Sequence, residues 1–238
     1  MQPMTVIVPA AGVGRRLGLG KNKAFATVGG LPLLVRCLRM LGRTGLVRRA
    51  VVVTGSAEQE ETRQLLAAYG ASCFPGLDIV VTAGGKERQD SVANGLALVM
   101  ERAGFVAVHD GARPFAGTEV FARTLALAER TGAAIAAVPV KDTVKVAGPD
   151  GCVAATPDRA TLRAAQTPQI FEVNLLRRAY ALLAERRAAG RPLAVTDDAS
   201  LVEALGHPVA LAEGSYDNIK ITTPEDLLLA EEIAKRSS

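Results

Sequence analysis

The chain has 238 residues, 49% hydrophobic and 22% charged, which is enough apolar material for one large α/β domain or two small ones. No apolar run approaches the ~20 residues that span a bilayer, and the N-terminus lacks the charged and apolar regions of a signal peptide. The formal charge of +4 is carried mainly by dispersed arginines, and only 4% of residues are aromatic, which argues against nucleic acid as partner and for a small anionic substrate. Cys37, Cys73 and Cys152 are odd in number and lack CxxC spacing, so they read as reduced packing residues of a cytoplasmic protein. No linker, repeat or low-complexity tract divides the chain, and residues 1–238 are expected to form a single domain.

In chain order, strand and helix alternate. Thr5–Val8 is a short run rich in β-branched residues. Leu31–Leu41 has apolar residues at helical spacing, with Pro32 suited to the first turn. Ala50–Val53 predicts a strand, Ala57–Tyr69 a helix, Asp78–Val81 a strand, and Asp90–Arg102 a helix burying Val92, Leu96 and Val99. Phe105–Val108, Thr118–Arg130 and Ala133–Val138 continue the pattern. Such alternation predicts a mostly parallel sheet covered by helices on both faces. The rhythm breaks at Pro139. Residues of about 139–168 read as a β-arm around the turn Gly148-Pro149-Asp150-Gly151. A two-stranded arm is unstable alone, so it is expected to pack on a second copy of the chain. Helices at Val173–Arg187 and Asp198–Leu205 follow, then strands near Val209–Leu211 and Ile219–Thr222. A last helix is capped by Thr223 with Pro224 at its first position.

Ligands of such sheets sit at the carboxyl ends of the strands. That rule gathers three separated segments. The first runs from Pro9 to Lys23, a glycine loop holding the cations Arg15, Arg16, Lys21 and Lys23. Bare backbone N–H groups and positive charge at a strand end suit a polyphosphate. A dinucleotide fingerprint is a poor match, because the third glycine is one place late and the second strand ends in Val53-Thr54-Gly55-Ser56 rather than an acid. The second segment is Thr82–Arg88, which opens the glycine turn Gly84-Gly85-Lys86-Glu87-Arg88-Gln89-Asp90-Ser91-Val92 leading into a helix. There Ser91 and the backbone are placed to read a base edge, and helix capping by Asp90 or Ser91 is the competing role. The third is His109-Asp110-Gly111-Ala112-Arg113-Pro114. Asp110 is placed to hold Mg²⁺ against a triphosphate, or else to form a turn; Arg113 and His109 read as structural. Further on, Lys220 in Asp217-Asn218-Ile219-Lys220 needs an anionic partner, unless it is an edge lysine facing water.

Together with Asp142-Thr143-Val144-Lys145, Gln166-Thr167-Pro168-Gln169-Ile170-Phe171 and Thr196-Asp197-Asp198-Ala199-Ser200, these segments resemble, in order, the 2-C-methyl-D-erythritol 4-phosphate cytidylyltransferase family. The resemblance runs from end to end of the chain. It implies a Rossmann-like nucleotidyltransferase fold, a homodimer joined by the arm, CTP as co-substrate and Mg²⁺. It also implies roles residue by residue. Ala10, Ala11 and Gly12 would cradle CTP, with Arg16 and Lys23 on its phosphates. Gly85, Lys86 and Ser91 would hold cytosine and ribose, Asp110 the metal, and Gly111 the nucleotide beside it. Thr143, Arg159, Thr167 and Thr196 would surround the methylerythritol phosphate, Arg159 reaching into the partner subunit. Lys220 would meet the transferring phosphate. The chain departs from the family's usual Pro-Lys-Gln at Asn22-Lys23-Ala24, which makes Lys21 a second candidate for the working cation. The alternatives are ribitol-5-phosphate cytidylyltransferase, a non-catalytic nucleotide-binding module and an NAD-binding oxidoreductase.

Overall fold

The computed structural model describes residues 4–12 and 22–236; Arg15, Arg16 and Lys21 lie outside them. Strand β1 (Met4–Pro9) is buried along nearly its whole length, as an apolar strand covered on both faces must be. A short hairpin follows, β2 (Thr27–Val28) paired with β3 (Leu31–Pro32). Helix α1 (Leu33–Arg43) therefore begins two residues later than expected, and Pro32 is its N-cap rather than a first-turn residue. The predicted alternation then holds through β4 (Val47–Thr54), α2 (Gln59–Tyr69), β5 (Asp78–Ala83), α3 (Arg88–Ala97), β6 (Phe105–Val108), α4 (Gly117–Thr131) and β7 (Ala133–Pro139). Helix α3 ends short of the predicted Arg102. Leu98 N and Val99 N bond to Gly95 O and Leu96 O, and such i→i+3 bonds tighten and close a helix.

After β7 the chain forms a separate two-stranded sheet, β8 (Val146–Ala147) against β9 (Val153–Ala155). Its turn is the predicted one, with Gly151 N bonded to Gly148 O at 3.0 Å. The arm is shorter than the expected 139–168. From Arg163 the chain is already in β10 (Arg163–Glu172), which lies in the main sheet between β7 and β6 and runs antiparallel to both. Pro168 hides this strand in the sequence because proline is excluded from regular central strands. It is accommodated where the β10–β7 register breaks between Ala165 and Gln169. Helices α5 (Val173–Ala188) and α6 (Asp198–Ala204), strand β11 (Ala210–Glu213) and helix α7 (Pro224–Arg236) complete the fold. The strand expected at Ile219–Thr222 is not one. That segment is held instead by Ile221 N donating to Ala112 O at 2.9 Å and by the buried side chain of Asn218.

The seven-stranded sheet has the order β11-β7-β10-β6-β1-β4-β5, parallel except for the two pairings of β10. Period-2 alternation splits its side chains between two cores. Val6, Val8, Ala50, Val52 and Ala107 pack with α1, α2 and α4 on one face. Ile7, Val51, Val53, Val106 and Val108 pack with α3, α5 and α6 on the other. A β-carbon on Gly95 would collide with the Ile7 and Val53 side chains, so glycine lets α3 lie close to the sheet. A third, smaller cluster joins α7 to the β2–β3 hairpin through Val28, Leu33, Ile221, Ala230 and Ala234. No described helix is long and apolar enough to cross a membrane.

Candidate active site

At the carboxyl edge of the parallel strands, single backbone bonds hold the emerging loops in place. Ala10 N donates to Val53 O, Gly84 N to Thr54 O and Gly111 N to Pro9 O. Around these loops lie two cavities, of about 330 Å³ and about 270 Å³. The first brings together Ala11, Gly12, Lys23, Gly85, Lys86, Ser91, Asp110 and Lys220 from the sequence expectations, with Arg88 added. The second holds Thr167 and Thr196 of the expected residues, beside Arg113, Gln166 and Gln169. Arg88, Asp110 and Lys220 line both. Ala10 and Gly111 sit one layer beneath, with their N–H groups committed to neighbouring strands. Thr143 and Arg159 are exposed on the arm and line neither cavity; Arg159 Nη1 donates to Lys141 O at 2.8 Å.

Asp110 lies two residues past the end of β6 and is the electrostatic centre. Lys220 Nζ lies 2.8 Å from Oδ2, Arg88 3.5 Å from Oδ1, and Arg113 Nε 3.8 Å away. Burial opposes its charge, but these three cations outweigh burial and hold the carboxyl well below the usual carboxylate range. Arg88 continues the network inward. It meets Asp198 Oδ2 at 2.7 Å, and Tyr180 donates to Asp198 Oδ1 at 2.6 Å. Burial works against the Arg88 charge too; the Asp198 and Asp110 carboxylates outweigh it and keep the guanidinium firmly protonated.

Behind Asp110 runs a buried polar wall whose hydrogen bonds set the state of His109. Asp110 N donates to Thr167 Oγ1 at 3.0 Å, and Thr167 Oγ1 lies 3.1 Å from His109 Nδ1. The other ring nitrogen, Nε2, is 2.9 Å from Arg113 O. A carbonyl only accepts, so Nε2 carries the proton and Nδ1 accepts from the threonine. His109 is thus neutral, its pKa lowered to about 4 by burial. The Thr167 hydroxyl is spent in this chain rather than left free for a ligand. Arg113 Nη1 donates to Asn218 O at 2.7 Å, which ties the Asp110 loop to the Lys220 segment. Asn218 Nδ2 in turn bonds Thr167 O at 2.8 Å and Gln166 Oε1 at 3.2 Å. Lys220 is therefore aimed by a pinned loop, two residues past a buried asparagine.

The loop between β5 and α3 is shaped by Ser91, whose Oγ accepts from Gly85 N at 3.1 Å and donates to Glu87 O at 3.2 Å. A β-carbon on Gly85 would overlap Asp90. Asp90 does cap the helix, accepting from Glu87 N at 3.0 Å. At the start of the segment that carries Lys23, Asn22 stands where the resemblance leads one to expect proline. Its φ is −58°, within the range a proline ring imposes. Its side chain donates to Ala10 O at 2.8 Å and to Glu58 Oε2 at 2.6 Å, and accepts from Ala24 N at 3.0 Å. The approach to Lys23 is thus fixed by hydrogen bonds, and Lys23 Nζ reaches Ile221 O at 3.4 Å.

Sequence reasoning gave no site role to Asn22, Arg88, Tyr180 or Asp198, although Arg88 and Asp198 stand within segments it singled out. A buried asparagine and a buried acid have no local signature. Gln169, which bonds the Asp198 and Ala199 N–H groups at 3.1 Å, comes from the unforeseen strand β10. Among the described residues no cluster of three or more metal-ligating side chains exists.

Comparison with known proteins agrees with this architecture. The family model for 2-C-methyl-D-erythritol 4-phosphate cytidylyltransferase matches residues 4–236. The chain is 43% identical to the protein of that name from Bacillus velezensis, over 98% of this chain and 96% of that one. It is 42% identical to that from Syntrophus aciditrophicus, over 99% and 98% of the two chains. Among solved structures, the Thermus thermophilus enzyme of that name superposes with a TM-score of 0.76 at 38% identity, covering 98% of this chain and all of that one. The 4-diphosphocytidyl-2C-methyl-D-erythritol synthase of Anaerococcus prevotii superposes with a TM-score of 0.82 at 30% identity, covering 99% of each chain. With a mostly parallel, Rossmann-like sheet and matches along its whole length, the chain belongs to the 2-C-methyl-D-erythritol 4-phosphate cytidylyltransferase family of nucleotidyltransferases.

Proposed function

We propose that the chain, as a single domain, transfers CMP from CTP to 2-C-methyl-D-erythritol 4-phosphate, releasing pyrophosphate in isoprenoid biosynthesis. The observation that carries this reading is the shared wall Arg88–Asp110–Lys220 between two adjoining cavities. One cavity has the glycine-lined, cationic character of a nucleotide site, and the other opens beside it for a second, anionic substrate. An oxygen of the sugar phosphate attacks the α-phosphorus of CTP, the bond to the β-phosphate oxygen breaks, and pyrophosphate leaves. A phosphate monoester is already anionic, so no strong base is required, and neutral His109 supplies none. The work is positioning and charge neutralisation.

In this proposal Ala11, Gly12, Gly85, Lys86 and Ser91 seat the nucleotide, with Ala10 and Gly111 supporting them from below. Lys23 and Arg16 offset charge on the leaving pyrophosphate. Lys220 exchanges its carboxylate partner for oxygens of the α-phosphoryl group. Thr196, with Thr167 behind it, borders the sugar phosphate. The donor set fits Mg²⁺ held jointly with the triphosphate, since this ion takes one or two carboxylates plus phosphate oxygens rather than a protein cage. Asp110 would hold it, and the ion would supply charge neutralisation at the phosphates.

The proposal includes a homodimer. The arm exposes Val144, Val146 and Val153, and Thr143 and Arg159 are absent from the chain's own cavities, which supports their serving a partner's site. Three free cysteines support a cytoplasmic location. The deciding experiment incubates the purified protein with CTP and Mg²⁺ and either methylerythritol phosphate or ribitol 5-phosphate. Pyrophosphate release with the first alone is expected. Release with ribitol 5-phosphate alone would overturn the substrate, and release with neither would favour a non-catalytic nucleotide binder.

A further inference from the structure

On the other side of the loops that carry Asp110 and Lys220 lies a cavity of about 790 Å³, larger than either part of the active site and within the range of small-molecule pockets. One wall is α1, which presents Arg36, Arg39 and Arg43 to it. Spacings of three and four residues put these on one helical face, where like charges repel. Among the described residues no carboxylate forms an ion pair with any of the three. Arg36 is packed over the Phe115 ring at 5.7 Å and bonds Val28 O and Gly29 O. Burial lowers its pKa, Glu231 offsets part of this, and the charge of Arg39 lowers it further.

The remaining walls have a second character. Leu31, Met40, Pro114 and Phe115 offer apolar surface next to the arginines. Gly117 and Thr118 bring the N-terminus of α4, whose N-cap residue makes no side-chain cap bond, so backbone N–H groups add to the positive side. Arginine clusters favour phosphate through paired, charge-assisted hydrogen bonds.

We propose that this cavity is a second ligand site, distinct from the transfer site, for an organic phosphate or diphosphate with an apolar body. The anionic head lies on Arg36, Arg39 and Arg43, and the body lies against Leu31, Met40 and Phe115. Two of its walls belong to segments the active site uses: Pro114 and Phe115 follow Asp110, and Ser215 and Asp217 precede Lys220.

The test titrates the full-length protein with isopentenyl diphosphate while a CTP analogue that cannot be cleaved between its α- and β-phosphates saturates the transfer site with Mg²⁺. Binding is read by calorimetry and by amide shifts of ¹⁵N-labelled protein. Binding that persists beside the analogue, with shifts at Gly29, Gly30, Gly117 and Thr118, is expected. The double variant R39A/R43A should weaken it by about tenfold or more without changing turnover of CTP. Met40→Glu, which places a charged carboxylate against the apolar body, should weaken it likewise. Inorganic pyrophosphate should bind about tenfold less tightly. Displacement of the probe by the CTP analogue, undiminished binding by both variants, or equal binding of pyrophosphate would each overturn the proposal.

Discussion

The buried wall behind Asp110 and the arm at β8–β9 are built on opposite terms. In the wall, side chains from the 109–113 loop, β10, α3, α5, α6 and the 215–220 segment bond to one another, and Asn218, His109 and Asp198 are almost wholly hidden. In the arm, every residue of both strands is exposed, and the bonds are local ones such as Lys145 Nζ to Thr156 Oγ1 at 2.9 Å. The wall is completed by the chain alone. The arm has no core of its own and leaves its valines exposed. One region is therefore sensitive to single atoms, and the other, in the proposed dimer, to the presence of a neighbour.

The comparison breaks most directly at Arg88. Arg88→Met leaves the Asp198 carboxylate, 1% exposed, without its cation. Loss of about 3–5 kcal/mol of stability is expected, measured as a lowered urea midpoint, with recovery in the double variant R88M/D198L. A midpoint unchanged by Arg88→Met would show that the wall does not hold the fold. Next comes Lys220, whose side chain is 39% exposed and which can be removed without opening the core. Lys220→Ala should keep the circular dichroism spectrum and lower turnover by about 10²–10³-fold; wild-type turnover would sink its assignment.

The wall is also where acid should act. The folded pKa of His109, about 4, lies below its ordinary 6.5, so between these values the unfolded chain binds the proton and the folded chain does not. Stability therefore falls as pH drops from 6.5 to about 4, by up to ~3 kcal/mol. Asp110 adds to the loss below its ordinary 3.8, because a depressed carboxylate pKa is a stabilisation that acid removes. Denaturation curves of His109→Gln across this range should lose the slope between pH 6.5 and 4; an unchanged slope would place its origin elsewhere. Asn22→Ala removes three hydrogen bonds around Lys23 and should cost ~1–2 kcal/mol, whereas Asn22→Pro should retain more of the turnover by keeping φ. The smallest effect on the chain's own stability belongs to the arm. The variant V146S/V153S should change it by less than about 0.5 kcal/mol while shifting the proposed dimer toward monomer in light scattering.

What was legible in the sequence follows the same division. Strand β6 is a continuous apolar run between Gly104 and His109, and it was placed to the residue. The loops at the strand ends were legible as chemistry because glycine and charge coincide there. The alternation that revealed the parallel strands failed for β10, where Gln166, Thr167, Pro168 and Gln169 interrupt any apolar period. Ile219–Thr222 carries a strand-like pattern, but Ile221 turns into the cluster with α7 instead of joining a sheet. The roles of Asp198 and Tyr180 became visible only once α5 and α6 were packed over α3, since their link to Asp110 runs through Arg88, about a hundred positions earlier in the chain. The placement of Arg16 lies outside the described residues.

The reversed direction of β10 has one more effect, on wiring. β7 delivers the chain to the edge where the loops of the site emerge, and a strand running the opposite way starts from that same edge. The excursion between them is thus rooted at both ends beside the site, where Val140 N meets Leu162 O. Tyr216, four residues before Lys220, clasps the root by donating to Pro139 O at 2.8 Å and lying under Lys141 at 3.7 Å. Had β10 run parallel, the connection would have had to cross back over the sheet and carry its tip to the far end of the molecule. An insertion rooted here can lengthen or shorten without altering any strand's register, while its base stays fastened to the segment that aims the lysine.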